Sequence, residues 1–152
     1  VKFFIGNGED LSQFKNEDLD LVLSFGSMEH MNNDRKFLEE AFRVLKKGGY
    51  FFIFDLPNKY GIPEILSDIL IKTHHHNRKY TVKKLYLMLR KYSDALGVRT
   101  YGLIPSQFHR INDRLGNFLN NYHLLINDID KSLTKTPLGV FSQSIRGWYK
   151  KN

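Results

Sequence analysis

Residues 19–54, LDLVLSFGSMEHMNNDRKFLEEAFRVLKKGGYFFIF, decide the fold of this 152-residue chain. The segment opens with an apolar run at 19–25 and closes with a second one at 50–54, which consists of aromatic residues and one isoleucine. Nearly continuous apolar runs of this length are typical of strands that are covered on both faces of a parallel sheet. The two runs therefore predict two buried strands.

A helix is predicted between these strands. Asn32-Asn33-Asp34 is typical of a helix start, and apolar residues follow it at spacings of one, three and four, which places them on one helical face: Phe37, Leu38, Ala41, Phe42, Val44 and Leu45. Lys46-Lys47 suit the negative end of the helix dipole, and Gly48-Gly49 would end the helix. The order strand, helix, strand predicts a parallel α/β sheet.

The remaining elements are predicted from weaker patterns. Residues 1–5 indicate a short strand that is closed by Gly6-Asn7-Gly8, and the turn-forming residues at 55–58 end the strand before them. Beyond residue 58 we expect helices over 63–72, 81–96 and 107–131, a strand over 98–104, and a last strand over 140–149. The last strand alternates apolar and polar residues, which favours an edge or half-exposed antiparallel strand.

Composition limits the function classes. The chain has no cysteine, so it has no disulfide framework or thiolate metal site, which fits a cytoplasmic protein. No apolar window reaches the roughly 18 residues that a membrane span needs. Residues 1–58 hold 7 Lys/Arg and 10 Asp/Glu, whereas residues 59–152 hold 16 and 6. The excess positive charge beyond residue 58 predicts an anionic ligand, unless it is only a lysine-rich surface.

Four motifs in this order resemble class I S-adenosylmethionine-dependent methyltransferases: 20–24 (DLVLS), Met28-Glu29-His30, 43–49 (RVLKKGG) and Pro57-Asn58. The resemblance covers residues 1–58 in order and spacing, and residues 59–152 in architecture alone. It implies a Rossmann-like methyltransferase sheet, mostly parallel with an antiparallel final strand. It also implies one partial domain, with a cofactor-side half (1–58), a helical substrate-facing region (59–136) and the final strand (137–152).

The same resemblance implies the activity and the site. The activity is methyl transfer from S-adenosylmethionine to a small or medium organic acceptor, for which the basic residues predict a phosphate or carboxylate, as in a glycan or a nucleotide-linked sugar. Asn7 and Gly8 align with the positions that contact the adenine, and Ser24 and Phe25 with those whose backbone faces the methionine part. Asn7 replaces the usual aspartate and loses its charge assistance. Asn-Gly is also a common turn dipeptide.

Glu29-His30 follows the first long strand, where open α/β sheets bind ligands. His30 is our candidate catalytic residue, because a neutral imidazole can take a proton from the acceptor. The alternative is that both side chains only hold the loop by hydrogen bonds. No metal site is expected here, since two adjacent residues cannot both point inward. His74, His75 and His76 are expected at a solvated junction for the same reason.

The glycine-rich cofactor loop of the family and its ribose-binding acid have no counterpart in residues 1–152. We therefore expect that an N-terminal part is supplied elsewhere or was lost, and that the chain by itself binds the cofactor weakly and is inactive. Two other functions stay open: a cofactor-less interaction module that keeps this fold, and a nucleic-acid-binding domain that uses the basic face of helix 81–96. The latter is less favoured, because aromatic and basic residues are not interleaved.

Overall fold

The computed structural model describes residues 5–71, 78–104 and 113–152. Their elements, in chain order, are β1 (Leu19–Phe25), α1 (Asp34–Val44), β2 (Leu45–Pro57), α2 (Ile62–Ile71), α3 (Val82–Leu89), β3 (Ser93–Tyr101), α4 (Asp113–Asn121), α5 (His123–Leu133) and β4 (Ser144–Lys151). Short 3-10 turns occupy Met28–His30 and Pro137–Phe141. The predicted strand over 1–5 lies outside the described residues except for Ile5, which is exposed and in no strand. The three histidines at 74–76 also lie outside them.

The four strands form one sheet in the order β1-β2-β4-β3. Strand β1 is parallel to β2, and β4 is antiparallel to both of its neighbours. The predicted α/β sheet with an antiparallel final strand is therefore confirmed. Of the two alternatives for β4, the half-exposed antiparallel strand is confirmed, since Ile145, Gly147 and Tyr149 are buried in alternation with more accessible residues. The edge position is wrong, because β4 pairs on both sides.

The hydrophobic core lies between α1, α3 and one face of the sheet. Helix α1 contributes Phe37, Leu38, Ala41 and Phe42, and β2 contributes Phe51, Ile53 and Leu56, all of them buried. The Phe42 and Phe51 rings meet edge-on with their centroids 5.3 Å apart. Asn33 caps α1 as its sequence predicts, since its side chain accepts hydrogen bonds from the backbone N–H groups of residues 35 and 36.

The other face of the sheet is more accessible, and we call it the open face. It carries the alternate residues of the strands: Leu21, Leu23, Phe25, Tyr50, Phe52, Phe54, Arg99, Tyr101, Arg146 and Trp148. Leu23 is 61% exposed and Phe25 is 69% exposed. The two-sided apolar pattern of β1 and β2 thus has one face in the core and one face turned to the open side.

The boundary between α1 and β2 lies earlier than predicted. Helix α1 ends at Val44, and β2 begins at Leu45, which pairs with Leu19 before the register shifts. Gly48 has a φ of 74°. A Cβ at Gly49 would lie 2.9 Å from the backbone oxygens of both Asp20 and Lys46. The helix therefore ends before the two glycines. Gly48 permits a positive φ within β2, and Gly49 permits the close approach of the β2 backbone to β1.

Two downstream predictions also need correction. The helix expected over 81–96 ends at Leu89, and residues from Ser93 onward join the sheet as β3. Gly97 lies inside that strand opposite Trp148, whose indole occupies the space of a side chain at this position. The helix expected over 107–131 is broken at Tyr122 into α4 and α5, and its first residues lie outside the described ranges.

Within the described ranges, no helix is long and apolar enough to cross a membrane. No group of three histidine, aspartate or glutamate side chains in these ranges is arranged to hold a metal ion.

The core assignment predicts a sharp contrast between two phenylalanines. Phe51→Ala should lower the free energy of unfolding by about 3–5 kcal/mol, because the ring is fully buried between α1 and the sheet. Phe118→Ala in α4 should change it by no more than about 0.5 kcal/mol, because that ring is 58% exposed. Urea denaturation of the two variants measures the difference, and equal losses would show that Phe51 is not in the main core.

Candidate functional site

The parallel strands β1 and β2 have their carboxyl ends on the same side of the sheet. There the backbone N–H of Gly26 donates to the carbonyl of Phe54 at 3.2 Å. The hydroxyl of Ser24 is buried and lies 2.9 Å from that of Ser27. The Phe25 ring instead faces outward and stacks on Phe54 with the centroids 5.2 Å apart. The end of β1 therefore offers an exposed aromatic ring.

The pair Glu29-His30 forms the 3-10 turn that follows β1. The side chain of Glu29 is 1% exposed and that of His30 is 58% exposed, with Nε2 of His30 3.8 Å from Oε1 of Glu29. The backbone N–H of His30 donates to the carbonyl of Ser27 at 3.1 Å. Glu29 is thus part of the protein interior, whereas His30 presents its ring to solvent. This arrangement is compatible with a catalytic His30 that is oriented by Glu29, and with a purely structural turn.

The loop that contains Asn7 and Gly8 lies beside the segment after this turn. The side-chain oxygen of Asn7 accepts from the backbone N–H of Glu9 at 2.9 Å, and its backbone oxygen accepts from Asp10 at 2.9 Å. Oε1 of Glu9 accepts from the backbone N–H of Asn32 at 2.6 Å. A Cβ at Gly8 would lie 2.9 Å from the ring of Phe37. The turn conformation and the close packing explain the Asn-Gly pair, and Asn7 itself remains exposed.

A clamp of two charged side chains, Glu40 and Arg43, holds the chain that follows this loop. Both carboxylate oxygens of Glu40 accept from Arg43 at 2.7 Å, and Oε2 also accepts from the backbone N–H of Leu11 at 2.8 Å. Arg43 donates further to the carbonyls of Leu11 and Phe14 at 3.0 and 3.1 Å. The sequence shows only a glutamate and an arginine three residues apart on a helix. Their bonds to residues 11–14 depend on the fold.

A second network, centred on Arg78, holds the segment after the 3-10 turn. Its guanidinium donates to the carbonyls of Met31 and Asn32 at 2.7 and 3.1 Å. The hydroxyl of the buried Tyr80 donates to Oδ2 of Asp34 at 3.1 Å. Arg78 was among the residues expected to meet an anionic ligand, but in this structure it binds the backbone.

Other basic residues beyond position 58 also have acidic neighbours. Lys79 lies 4.0 Å from Glu64, Lys84 lies 3.9 Å from Asp34, and Lys91 lies 3.4 Å from Glu39. These contacts neutralise part of the positive charge that the sequence assigns to this region.

The carboxyl end of β2 contains a polar group that the sequence analysis assigned only to a turn. Asp55 has a φ of 57° and lies in a β-bulge, at which the strand continues to Pro57 instead of ending. Its backbone N–H donates to the Tyr101 hydroxyl at 3.0 Å, and that hydroxyl donates to the Asp55 carboxylate. Burial raises the pKa of the Asp55 carboxyl above its ordinary value.

Arginines lie next to Tyr101 on the open face. The guanidinium of Arg146 is 5.1 Å from the centre of the Tyr101 ring, and that of Arg99 is 5.6 Å from the Trp148 ring. Arg99 and Arg146 are directly opposite each other across β3 and β4. Like charges in such a cross-strand pair repel each other, so this position favours an anion.

These observations show what could hold a nucleoside cofactor. Asn7 keeps its amide NH₂ group and one lone pair for a base, and Phe25 provides an exposed ring at the end of β1. The donor set is polar and aromatic and contains no cluster of cations. It therefore fits an adenosine better than a polyphosphate.

Comparisons with known proteins agree with this fold. Residues 1–53 match the family model described as "Methyltransferase domain". A sarcosine/dimethylglycine N-methyltransferase of Aphanothece halophytica is 39% identical over 75 residues, which are 49% of this chain and 27% of the relative. The chain thus spans about a quarter of the length of this curated relative.

Solved structures extend the similarity to the later part of the chain. One of them is a SAM-dependent methyltransferase of Thermotoga maritima, described as a possible histamine N-methyltransferase. It superposes with a TM-score of 0.62 at 15% sequence identity, and the match covers 97% of this chain and 62% of the T. maritima chain. Another is the Haemonchus contortus phosphoethanolamine N-methyltransferase 2 in complex with S-adenosyl-L-methionine. It superposes with a TM-score of 0.55 at 16% sequence identity, and the match covers 91% of this chain and 34% of the H. contortus chain. At these identities the match concerns the fold.

The clamp predicts a specific response to acid. Arg43 holds the pKa of the Glu40 carboxyl down to about 2, against an ordinary value of 4.5. A lowered pKa stabilises the folded state above the ordinary value, and this stabilisation is lost as the pH falls from about 4.5 to about 2. Wild type should therefore lose more thermal stability over this range than Glu40→Gln does.

Asp128→Asn is the matched control, because Asp128 forms an exposed (i,i+3) pair with Lys131, and within the described residues its carboxylate binds no distant loop. It should follow the wild-type pH profile of the unfolding temperature. A Glu40→Gln profile that coincides with both would contradict the clamp.

Proposed function

We propose that this chain is part of a class I S-adenosylmethionine-dependent methyltransferase and takes part in methyl transfer from S-adenosylmethionine to a small or medium organic acceptor. The main support for this proposal is the arrangement of the loops at the carboxyl end of β1. The turn Met28–His30 follows the end of β1, and the loop with Asn7 and Gly8 is held against the segment after that turn by the Glu9–Asn32 hydrogen bond and by packing on Met31 and Phe37. The carboxyl ends of the strands are where open α/β sheets bind ligands.

In this proposal the adenine is bound by the Asn7 amide and the backbone N–H of Gly8, and the methionine part by the backbone at Ser24 and Phe25. The bound cofactor supplies a methyl carbon that its sulfonium activates. The protein's own task is then to align the acceptor with that carbon and to exclude competing water. Glu9, Glu40 and Arg43 support this task, because they hold the Asn7 loop against α1 and the segment after His30.

We further propose that His30 accepts the proton which the acceptor loses. Its ring is accessible at the end of β1, and the Glu29 carboxylate beside it can stabilise the imidazolium that forms.

The proposed acceptor carries an anionic group, as a glycan or a nucleotide-linked sugar with a carboxylate or phosphate does. The support is the cross-strand pair Arg99 and Arg146, since an anion between the two guanidinium groups would relieve their repulsion. The relative from A. halophytica is named for sarcosine and dimethylglycine, and both of these compounds carry a carboxylate. An amino acid is therefore a second anionic acceptor type to test.

Calorimetric titration of S-adenosylhomocysteine into the full-length protein tests the cofactor part of the proposal. Asn7→Asp restores the charged acceptor that the family usually has, and it keeps the hydrogen bond to Glu9. It should tighten binding by about three- to tenfold, because charge-assisted hydrogen bonds are roughly twice as strong as neutral ones. Asn117→Asp, on an exposed position of α4, should have no effect. Absence of binding in the wild type would favour a non-catalytic module with this fold.

The role of His30 has its own test. His30→Asn should lower kcat by at least about 100-fold and leave the affinity for S-adenosylhomocysteine unchanged, because a general base contributes to the chemical step alone. The acceptor panel for this assay is sarcosine, dimethylglycine and a uronic-acid nucleotide sugar. An unchanged kcat would assign His30 to the structural turn.

A further inference from the structure

We propose that Asp55 binds the nitrogen of the methyl acceptor on the open face, so that the acceptor is an amine. This inference rests on the proposed function and adds the class of nucleophile to it. Nothing in the motifs of residues 20–58 or in the named relatives assigns a role to Asp55.

The β-bulge in β2 directs Asp55 to the open face. Phe51 and Ile53 point into the core, and regular alternation would send residue 55 there as well. The bulge interrupts this alternation, because Ile53 pairs with Gly147 while Leu56, three residues later, pairs with Ile145. Leu56 then takes the core position, and the Asp55 carboxylate meets the hydroxyl of Tyr101 instead. Bulges of this kind commonly redirect a side chain next to an active site.

The backbone at Asp55 also departs from ordinary strand geometry. A φ of 57° is uncommon for a residue other than glycine, although aspartate and asparagine tolerate it better than most. Such conformations carry a cost and concentrate at functional sites. The partial burial of the carboxylate adds to this cost, since it disfavours the ionised form. A position that only had to end a strand would require neither feature.

The surroundings of Asp55 suit an ammonium or amine nitrogen. The Phe25 and Phe54 rings stack at the adjacent strand ends, and the Tyr101 ring lies beside the carboxylate. A carboxylate beside an aromatic side chain attracts a cation by its charge, and the ring quadrupole adds to this attraction. The Tyr101 hydroxyl uses only part of the capacity of the carboxylate, which accepts at about four lone-pair positions. The acceptor binds there as an ammonium. Once His30 has taken one of its protons, a remaining N–H stays bound to Asp55 and the nitrogen lone pair is available for the methyl group.

The neighbouring arginines define where the remainder of such an acceptor lies. Arg146 lies on β4, the strand between Asp55 on β2 and Tyr101 on β3, and its guanidinium is 5.1 Å from the centre of the Tyr101 ring. An acceptor with its nitrogen at Asp55 thus has its anionic group close to Arg146. Nitrogen binding and anion binding are separate contacts, so each can be removed without the other.

The test measures binding of benzylamine and benzyl alcohol to the full-length protein by ligand-observed NMR. The two probes share a ring and differ in the charged nitrogen. Wild type should prefer benzylamine, and Asp55→Asn should weaken benzylamine binding by about tenfold or more, because a hydrogen bond to a charged group is lost. Benzyl alcohol binding should change little.

Asp20→Asn is the matched control, since Asp20 is an exposed carboxylate on the neighbouring strand; it should bind both probes like the wild type. Asparagine tolerates the positive φ and can still accept from Tyr101, so Asp55→Asn should be at least as heat-stable as the wild type at neutral pH. Tyr101→Phe, which keeps the ring but removes the hydroxyl, is the second variant and should weaken benzylamine binding by a smaller factor.

A wild-type protein without preference for benzylamine, or an Asp55→Asn protein that keeps the preference, would overturn this inference. S-adenosylhomocysteine is titrated into the same proteins. If the wild type does not bind S-adenosylhomocysteine, the proposed function is contradicted. If the Asp55→Asn protein binds S-adenosylhomocysteine but no longer binds benzylamine, the acceptor site is separate from the cofactor site.

Discussion

The structure depends on the alternation of side chains along β2. This strand pairs with β1 on one side and with β4 on the other. Phe51 and Ile53 therefore fill the core beneath α1, and Tyr50, Phe52 and Phe54 lie on the open face. A slip of one residue would exchange the two faces. The bulge at Asp55 breaks this pattern at the carboxyl end, so that Leu56 and not Asp55 takes the next core position. The core and the acceptor site we propose therefore depend on the same strand.

The second requirement is a stable arrangement of the loops around the end of β1. Loops at this edge have few apolar contacts of their own, and the described structure holds them by charged side chains that reach backbone groups. Arg43 and Glu40 bind the chain after the Asn7 loop, and Arg78 binds the chain after His30. In these positions the charges organise the site and do not have to touch a ligand. A lysine could not replace either arginine, because each of them bonds to several acceptors in different directions.

Local patterns predicted a large part of the fold. β1, the Asn33 cap and the core face of α1 follow from periodicity and capping, which depend on neighbours in the sequence. The errors arose where distant residues decide. The sequence pattern after Thr81 predicts one long helix, but the residues from Ser93 onward pair with β4 and form a strand of the sheet. A glycine after a helical pattern, such as Gly97, usually marks the end of the helix, but here it leaves room for the Trp148 ring. The clamp at Arg43 and the bulge at Asp55 were missed for the same reason, since neither has a local signature.

The open face also constrains the chemistry of an acceptor. Its two polar features have opposite charge, with a carboxylate at the end of β2 and two facing arginines on β3 and β4, and the Tyr101 side chain contacts both. A neutral acceptor would leave the repulsion between Arg99 and Arg146 unrelieved, and a simple cation would gain nothing from it. An acceptor with a nitrogen and an anionic group satisfies both features at once. The acceptor that we propose for this face of three strands is therefore zwitterionic or an amino-sugar acid, and not purely anionic.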